Sequence, residues 1–412
     1  MRRSTWHLRV GGIVVAWLGA VIVASMVALV RPISPWLLIH LLLLGAVSNA
    51  VLVWSTHFAA ALLRLPDPGT RRAEATRLGL FNAGALTIVA GMLTDLWSAV
   101  LAGGVLASVA VGWHAIVLLT RLRRALPSRF GVTVRYYVAA AALLPVGITL
   151  GVIMAPGHLD EQAHARLALA HVTVNVLGWL GLTVIGTLVT LWPTMLHTQV
   201  ANGSERAARR ALAVLVIGIV ATSAGALIGS RLAATAGIVV YLAGFTIVGR
   251  SLVEEFRHRS PTTFATWSVF AGCIWLVGSG TVLGAILVTS TDWQQAADRA
   301  DRLAAPLLVG FAAQVLIGAL SYLIPIVLGG GPSTTRATTA VLETAGTARV
   351  IVTNVGLLAS TLPQPGFGRS LEAILVLCAM ASFLVLVSRA ARAARATRSE
   401  TVATPQAGTA LP

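Results

Sequence analysis

The chain contains no lysine: all 30 of its basic residues are arginine. Acidic residues are also scarce, 14 in 412 positions, and charged residues of all kinds make up only 11%. A soluble domain carries about twice that share, so an aqueous globular fold is excluded. None of the acidic residues lies clearly in the middle of an apolar run; Asp95, Glu343 and Glu372 all sit at ends. Proton pumps and ion-coupled carriers usually need such a mid-membrane group, so its absence argues against both. There are two cysteines, Cys273 and Cys378, in different apolar runs. They provide neither a disulfide framework nor a CxxC pair, and small core hydrophobes are the expected role. No HExxH, GxSxG or phosphate-binding loop occurs. Gly329-Gly-Gly331-Pro332 follows an apolar run, lacks lysine and reads as a helix stop.

What the chain does have is hydrophobic length. It is 57% hydrophobic with a mean hydropathy of +0.84. Twelve apolar runs are long enough to cross a bilayer: roughly 10–30, 35–63, 79–95, 97–119, 134–155, 164–195, 210–229, 231–250, 264–289, 301–328, 347–362 and 370–391. Thr94-Asp95 and Ser230-Arg231 join two of the pairs as tight hairpins. The fold class expected is an all-α integral membrane protein of twelve transmembrane helices. Met1-Arg-Arg before the first run resembles a signal peptide, but the run is too long and Arg31-Pro32 lacks small residues for cleavage, so it reads as span 1. The arginines (Arg2, Arg3, Arg64, Arg71, Arg72, Arg77, Arg121 to Arg124, Arg206 to Arg210, Arg250 to Arg259, Arg336 and Arg389 to Arg398) fall in alternate loops and termini. The positive-inside rule makes those cytoplasmic and both termini inside. Asp160, Glu161, Asp292, Asp298 and Asp301 fall on the other side. Topology therefore accounts for the net charge of +16, and no nucleic-acid motif accompanies it. The membrane domain spans 1–395, and the Thr, Ala, Pro and Gly composition of 396–412 reads as a disordered cytoplasmic tail.

An internal repeat runs through the chain. His171-Val-Thr-Val-Asn175-Val-Leu-Gly178-Trp179, continued to Gly186 and Pro193, reads against Leu303 through Gly310-Phe311, Gly318 and Pro325 at an offset of 310 − 178 = 132 residues. Gly147-Ile-Thr-Leu-Gly151 pairs with Gly280-Thr-Val-Leu-Gly284, and Asn82-Ala-Gly84 with Asn354-Val-Gly356. A fainter copy near Leu18-Gly19-Ala20 brings His40 to the place of His171. The expectation is three pseudo-repeats of four helices, about 1–127, 128–260 and 261–395, around a pseudo-threefold axis.

Polar groups inside lipid are costly and mark function. His40 and His171 lie about 7 and 10 Å into their helices at 1.5 Å per residue, at similar depth. His171, Asn175 and Gly178 share one helix face, and the matching face of span 10 carries Gly310 and Gln314. Such imidazoles ligate heme iron or copper, or bond across helices with Asn175 or Gln314 as partner. Trp179 and Phe311 stand at matched positions and serve as packing or as a wall for a planar cofactor. His57 and His114 share a depth near the cytoplasm and form a weaker metal-binding pair. His57 lies 57 − 40 = 17 residues from His40, about 100° round the helix, so the two do not face one axis. His158 and His164 lie at the outer surface, where they could receive a metal.

Twelve spans, both ends inside, four-helix units, and histidines near the outer ends of spans 2 and 6 resemble the catalytic subunit of heme–copper oxidases. That resemblance implies a heme ligand at His40 and a copper ligand at His171. Span 7 has no histidine, and span 10 has Leu303, Leu307 and Gln314 instead, so the usual three-histidine copper and bis-histidine heme are not expected. A more specific resemblance is to the membrane domain of actinobacterial copper oxidase or copper nitrite reductase-like fusion proteins. It is carried by His40-Leu-Leu-Leu-Leu-Gly45 through Asn49 to Trp54-Ser-Thr-His57-Phe58, by His171 through Gly186-Thr187 to Leu191-Trp192-Pro193-Thr194-Met195, and by Gln314 through Leu320-Ser-Tyr322 to Pro325. No cupredoxin copper set occurs in these 412 residues, so copper catalysis is expected of a separate extracytoplasmic chain. The functional expectation is a redox protein of the cell membrane, in contact with the lipid bilayer, that binds heme or copper and exchanges electrons with such a partner. The alternatives are a non-catalytic anchor or assembly module for a copper protein, or a transporter of a small solute or copper.

Overall fold

A computed structural model describes residues 3–65, 71–126, 128–329, 331–362 and 366–403. Among them there is no β-strand. Twelve helices are long and apolar enough to cross a membrane. Spans 1 to 4 are Val10–Ala28, Pro35–Leu62, Arg71–Leu93 and Trp97–Arg124. Spans 5 to 8 are Gly131–Met154, Glu161–Leu196, Ser204–Leu227 and Arg231–His258. Spans 9 to 12 are Phe264–Thr289, Pro306–Leu328, Gly331–Ser360 and Gly366–Thr397. Lipid offers no partner for backbone amides, so each crossing closes its hydrogen bonds internally as a helix.

Burial sorts these helices into two sets. In spans 2, 6 and 10, 56%, 83% and 67% of the apolar window is buried, whereas no other span exceeds 44%. Three inner helices are therefore wrapped by nine outer ones. All three inner helices depart from α geometry over one stretch. Leu41–Val47, Thr173–Gly181 and Pro306–Ala313 are π-helical. A π turn widens the helix, and side chains bond carbonyls within it alongside the backbone. Ser48 Oγ donates to Leu43 O at 2.7 Å, Asn49 Nδ2 to Gly45 O at 2.8 Å and Tyr241 OH to Leu177 O at 3.3 Å. Such stretches occur frequently at functional sites.

Both hairpins expected from the sequence are present. Spans 3 and 4 turn through Asp95, and spans 7 and 8 turn at Gly229, whose φ of 79° suits a residue without Cβ. Ser230 then caps span 8 by accepting the Ala233 N–H at 3.2 Å. In the first hairpin Gly84 and Gly103 let the two backbones touch; a Cβ on either would meet the other's carbonyl. Small residues at contacts are the usual means of packing helices in lipid.

Three boundaries differ from the sequence reading. Span 11 is not one run at 347–362: it is Gly331–Leu342 followed by Gly346–Ser360, broken at Ala345 with φ 52°. The break is held by polar contacts that hydropathy does not register. Glu343 accepts the Phe264 N–H at 2.7 Å, and the Arg349 guanidinium lies 3.7 Å over the Phe264 ring. Span 10 is preceded by a short amphipathic helix, Trp293–Ala300, instead of beginning at 301. The last helix continues through Ala403, past the point at 396 where the tail was expected to begin. Positions 404–412 of that tail lie outside the described residues.

Candidate functional site

A cavity of about 370 Å³ lies at one end of the bundle, between spans 2, 3, 4, 5 and 6. His40, His171, Asn175 and Trp179 all line it. Both histidines occupy helix positions just before a π-helical stretch: His40 precedes Leu41–Val47, and His171 lies two residues before Thr173–Gly181. Their ring centres are 6.2 Å apart.

Each imidazole is held through Nδ1. His40 Nδ1–H donates to Trp36 O at 2.8 Å, one turn back on its own helix, and its ring stacks on Trp36 at 4.1 Å. His171 Nδ1–H donates across to Gly147 O on span 5, also at 2.8 Å. Asn175 Nδ2 lies 3.3 Å from the same His171 nitrogen but donates at 2.8 Å to the His171 carbonyl. The shorter contact to a carbonyl, which only accepts, places the proton on Nδ1. In the neutral form of each ring the lone pair is then on Nε2. A ligating histidine is prepared in this way: its other nitrogen is tied to a carbonyl, which fixes tautomer and orientation.

Span 5 makes room for this. A Cβ on Gly151 would come within 2.9 Å of the His171 ring, and a Cβ on Gly147 would overlap the Asn175 amide. The Gly147-x-x-x-Gly151 pair noted as part of a repeat thus cradles His171 and Asn175. On the far wall Trp179 Nε1 donates to Ser48 Oγ at 3.0 Å, which ties span 6 to span 2.

The 6.2 Å between ring centres equals the separation of two imidazoles that share one metal. At about 2.0–2.1 Å per metal–nitrogen bond, two opposed imidazoles place their ring centres roughly 6 Å apart. A third ligand of the usual kind is missing: among the described residues no group of three or more His, Cys, Asp or Glu is close enough to hold one ion. The donors fit a two-histidine centre and do not fit a three-histidine copper.

The other candidates are elsewhere. Gln314 is fully buried but does not line the cavity; its Nε2 donates to Ser268 O and Asn354 Oδ1 at 3.3 Å each. It is a packing residue between spans 9, 10 and 11. His57 and His114 do not form a pair. His57 is exposed beside Trp54, whereas His114 is buried at 1% and meets Ser55 Oγ at 2.9 Å. Similar depth misled here because the two residues lie on differently facing sides of their helices.

The inner helices share a packing device. Gly45 lies against the Trp17 ring and Gly310 against the Trp275 ring; Gly178 lies against Leu143. Trp17 Nε1 donates to Asn82 Oδ1 at 2.7 Å, and Trp275 Nε1 to Asn354 Oδ1 at 2.8 Å. Asn49 Nδ2 also reaches Asn82 Oδ1 at 3.1 Å, as Gln314 reaches Asn354. Five residues before each of these asparagines (82 − 77 and 354 − 349) stands a buried arginine, Arg77 or Arg349, each 6% exposed. Counted from the glycines, however, His40 is 45 − 40 = 5 residues upstream and His171 is 178 − 171 = 7. Register counted from these glycines does not match the two histidines; their rings come together from spans 2 and 6.

The sequence reading missed two lining residues, Met92 and Met154. Each lies at a helix end, where a lone methionine looks like ordinary apolar sequence. No protein-family model and no curated protein matches the chain.

Proposed function

We propose that this protein is a membrane redox protein in which the cavity between spans 2 and 6 holds a heme or copper centre through His40 and His171. The observation that carries the reading is the pair itself: two imidazoles, each fixed at Nδ1 by a backbone carbonyl, with ring centres 6.2 Å apart beside a cavity of about 370 Å³. A bound centre would supply one-electron chemistry. The chain's own part is to present two Nε2 lone pairs, to exclude water with the Trp36 and Trp179 rings, and to keep both nitrogens aimed by the Gly147 and Trp36 carbonyls.

The proposed topology places both termini in the cytoplasm, because the arginines gather at the end of the bundle away from the cavity. The cavity then opens near the extracytoplasmic surface. Asp160, Glu161, Asp292, Asp298 and Asp301 lie at that end among Arg166, Arg231, Arg299 and Arg302, a mixed-charge surface. We read the partner as an extracytoplasmic copper oxidase or reductase. The matched Trp17–Gly45–Asn82 and Trp275–Gly310–Asn354 contacts support a descent from repeated four-helix units.

The test is an optical difference spectrum, oxidised minus dithionite-reduced, on the purified detergent-solubilised chain, with copper quantified on the same sample. A Soret and α band, or stoichiometric copper, lost in both His40→Ala and His171→Ala supports the reading. A featureless spectrum together with no copper, in preparations supplied with both during expression, overturns it in favour of an anchor or transporter.

A further inference from the structure

The walls of the histidine cavity hold more soft donors than the pair. His164, Met92 and Met154 also line it, so three of the protein's nine histidines and two of its six methionines meet in one place. They come from separate elements. Met92 is the penultimate residue of span 3, Met154 the last of span 5 and His164 the fourth of span 6. All three therefore sit at the mouth. His171 is seven residues beyond His164 on nearly the same helix face, about 10 Å further in at 1.5 Å per residue. Ala168 lies between them on the cavity wall and leaves the way open.

The chemistry of this lining is selective. It includes no Asp, Glu, Arg or Cys. A divalent ion would bring twice the charge of a monovalent one into a low-dielectric space with nothing to neutralise it, and the Born cost rises with the square of charge, about fourfold. Neutral imidazole and thioether donors match a soft monovalent ion; thioether in particular selects Cu(I). A heme would bring two carboxylates and would find no cationic side chain on these walls.

We propose that the cavity is a copper(I) site with a loading vestibule. Met92, Met154 and His164 capture Cu(I) at the mouth and pass it by ligand exchange to His40 and His171. No electron moves in this step, and no proton is released, because each receiving imidazole already carries its proton on Nδ1. The inference rests on the metal-binding reading of the histidine pair proposed above, and it adds the identity of the ion and the route by which it arrives.

The test uses the full-length chain in detergent, with Cu(I) delivered from a chromophoric Cu(I) chelator under anaerobic conditions. Stoichiometry, affinity and loading rate are read from the chelator's absorbance, and sulfur or nitrogen ligation from X-ray absorption of the loaded sample. The wild type is expected to take up one Cu(I) with nitrogen ligation at the final site. The Met92→Leu, Met154→Leu double variant, which keeps side-chain volume, is expected to reach the same stoichiometry with loading slowed roughly ten- to a hundredfold, the scale of loss for a supporting group around a metal. His164→Ala is expected to slow loading in the same sense, and His171→Ala to abolish retention. Wild-type loading rates in the methionine variant, with unchanged elution on size exclusion, overturn the vestibule while leaving the histidine pair intact. Uptake of heme but not Cu(I) by the wild type overturns the copper assignment while leaving the redox reading standing. Binding of neither removes both.

Discussion

Spans 2 and 10 both pass through a π-helical stretch whose glycine lies against a tryptophan, Gly45 on Trp17 and Gly310 on Trp275. In both, that tryptophan donates to an asparagine that also receives an amide from the inner helix itself, Asn49 or Gln314. Upstream of the glycine they part. Span 2 carries His40, on the cavity wall facing His171 of span 6. Span 10 carries Pro306 and Leu307 after Ala305, and no histidine. The shared device is thus a packing device, since it persists where no metal chemistry is available. The histidines are an addition to it on one side of the bundle. A π-helical stretch near a polar residue is therefore not by itself a marker of the site; the cavity and the free Nε2 atoms are.

The sharpest way to break this comparison is to remove an imidazole from each side of it. His171→Ala is expected to abolish bound cofactor, and His114→Ala, buried but paired only with Ser55, to leave it unchanged. Cofactor content per chain decides. Equal loss in both would mean that the histidines act only through the stability of the bundle.

The packing device can be tested by filling its glycines. Gly45→Ala and Gly310→Ala each push a methyl into an indole ring and should cost about 1–3 kcal/mol, the range for overpacked cores. Gly178→Ala meets the Leu143 Cδ1 at 2.9 Å, the movable end of a flexible side chain, and should cost less. Thermal unfolding in detergent ranks the three. If Gly178→Ala proves the worst, the site helix depends on its glycine more than the comparison allows.

A smaller effect is expected from the asparagines. Asn82→Leu and Asn354→Leu each strand an indole N–H away from water. Each should lower stability by about 1–2 kcal/mol, as interhelical hydrogen bonds in membranes do, and by similar amounts. The same melting experiment checks it; a large loss in one alone would separate the two sides.

The smallest expected effect lies at the cavity end of the bundle, where span 6 meets the approach to span 10. Gln162, at the start of span 6, bonds Asp292 and the Trp293 N–H just before span 10. The Gln295 backbone N–H, with help from Gln162 and Thr291, holds the Asp292 carboxyl below its ordinary value. A depressed folded-state value stabilises the fold above the ordinary aspartate range and loses that contribution as pH falls through the folded value. Stability should therefore decline slightly on acidification below about pH 4, and this increment should vanish in Asp292→Ala. Melting curves at several pH values read it; because the group is fully exposed, a large increment would count against the assignment.

The amino-acid sequence by itself determined the solvent of this protein and the number of its crossings. Apolar length and internal hydrogen bonding leave a chain in lipid no other choice, so all twelve spans were legible. Glycine spacing also marked where helices touch, as at Gly147, Gly151, Gly178 and Gly310. Only the tertiary structure decided which polar residues meet. It brought His40 and His171 together from two inner helices, turned Gln314 toward Ser268 and Asn354 and separated His57 from His114. It also drew Met92 and Met154 to the same cavity, though nothing in their local sequence sets them apart. It broke span 11 at Ala345 through Glu343 and Arg349, whose partner Phe264 is some 80 residues away (343 − 264 = 79). The physical reason is the same in each case. Hydropathy and helical periodicity are properties of neighbouring residues, while the direction a helix face points depends on which helices pack around it.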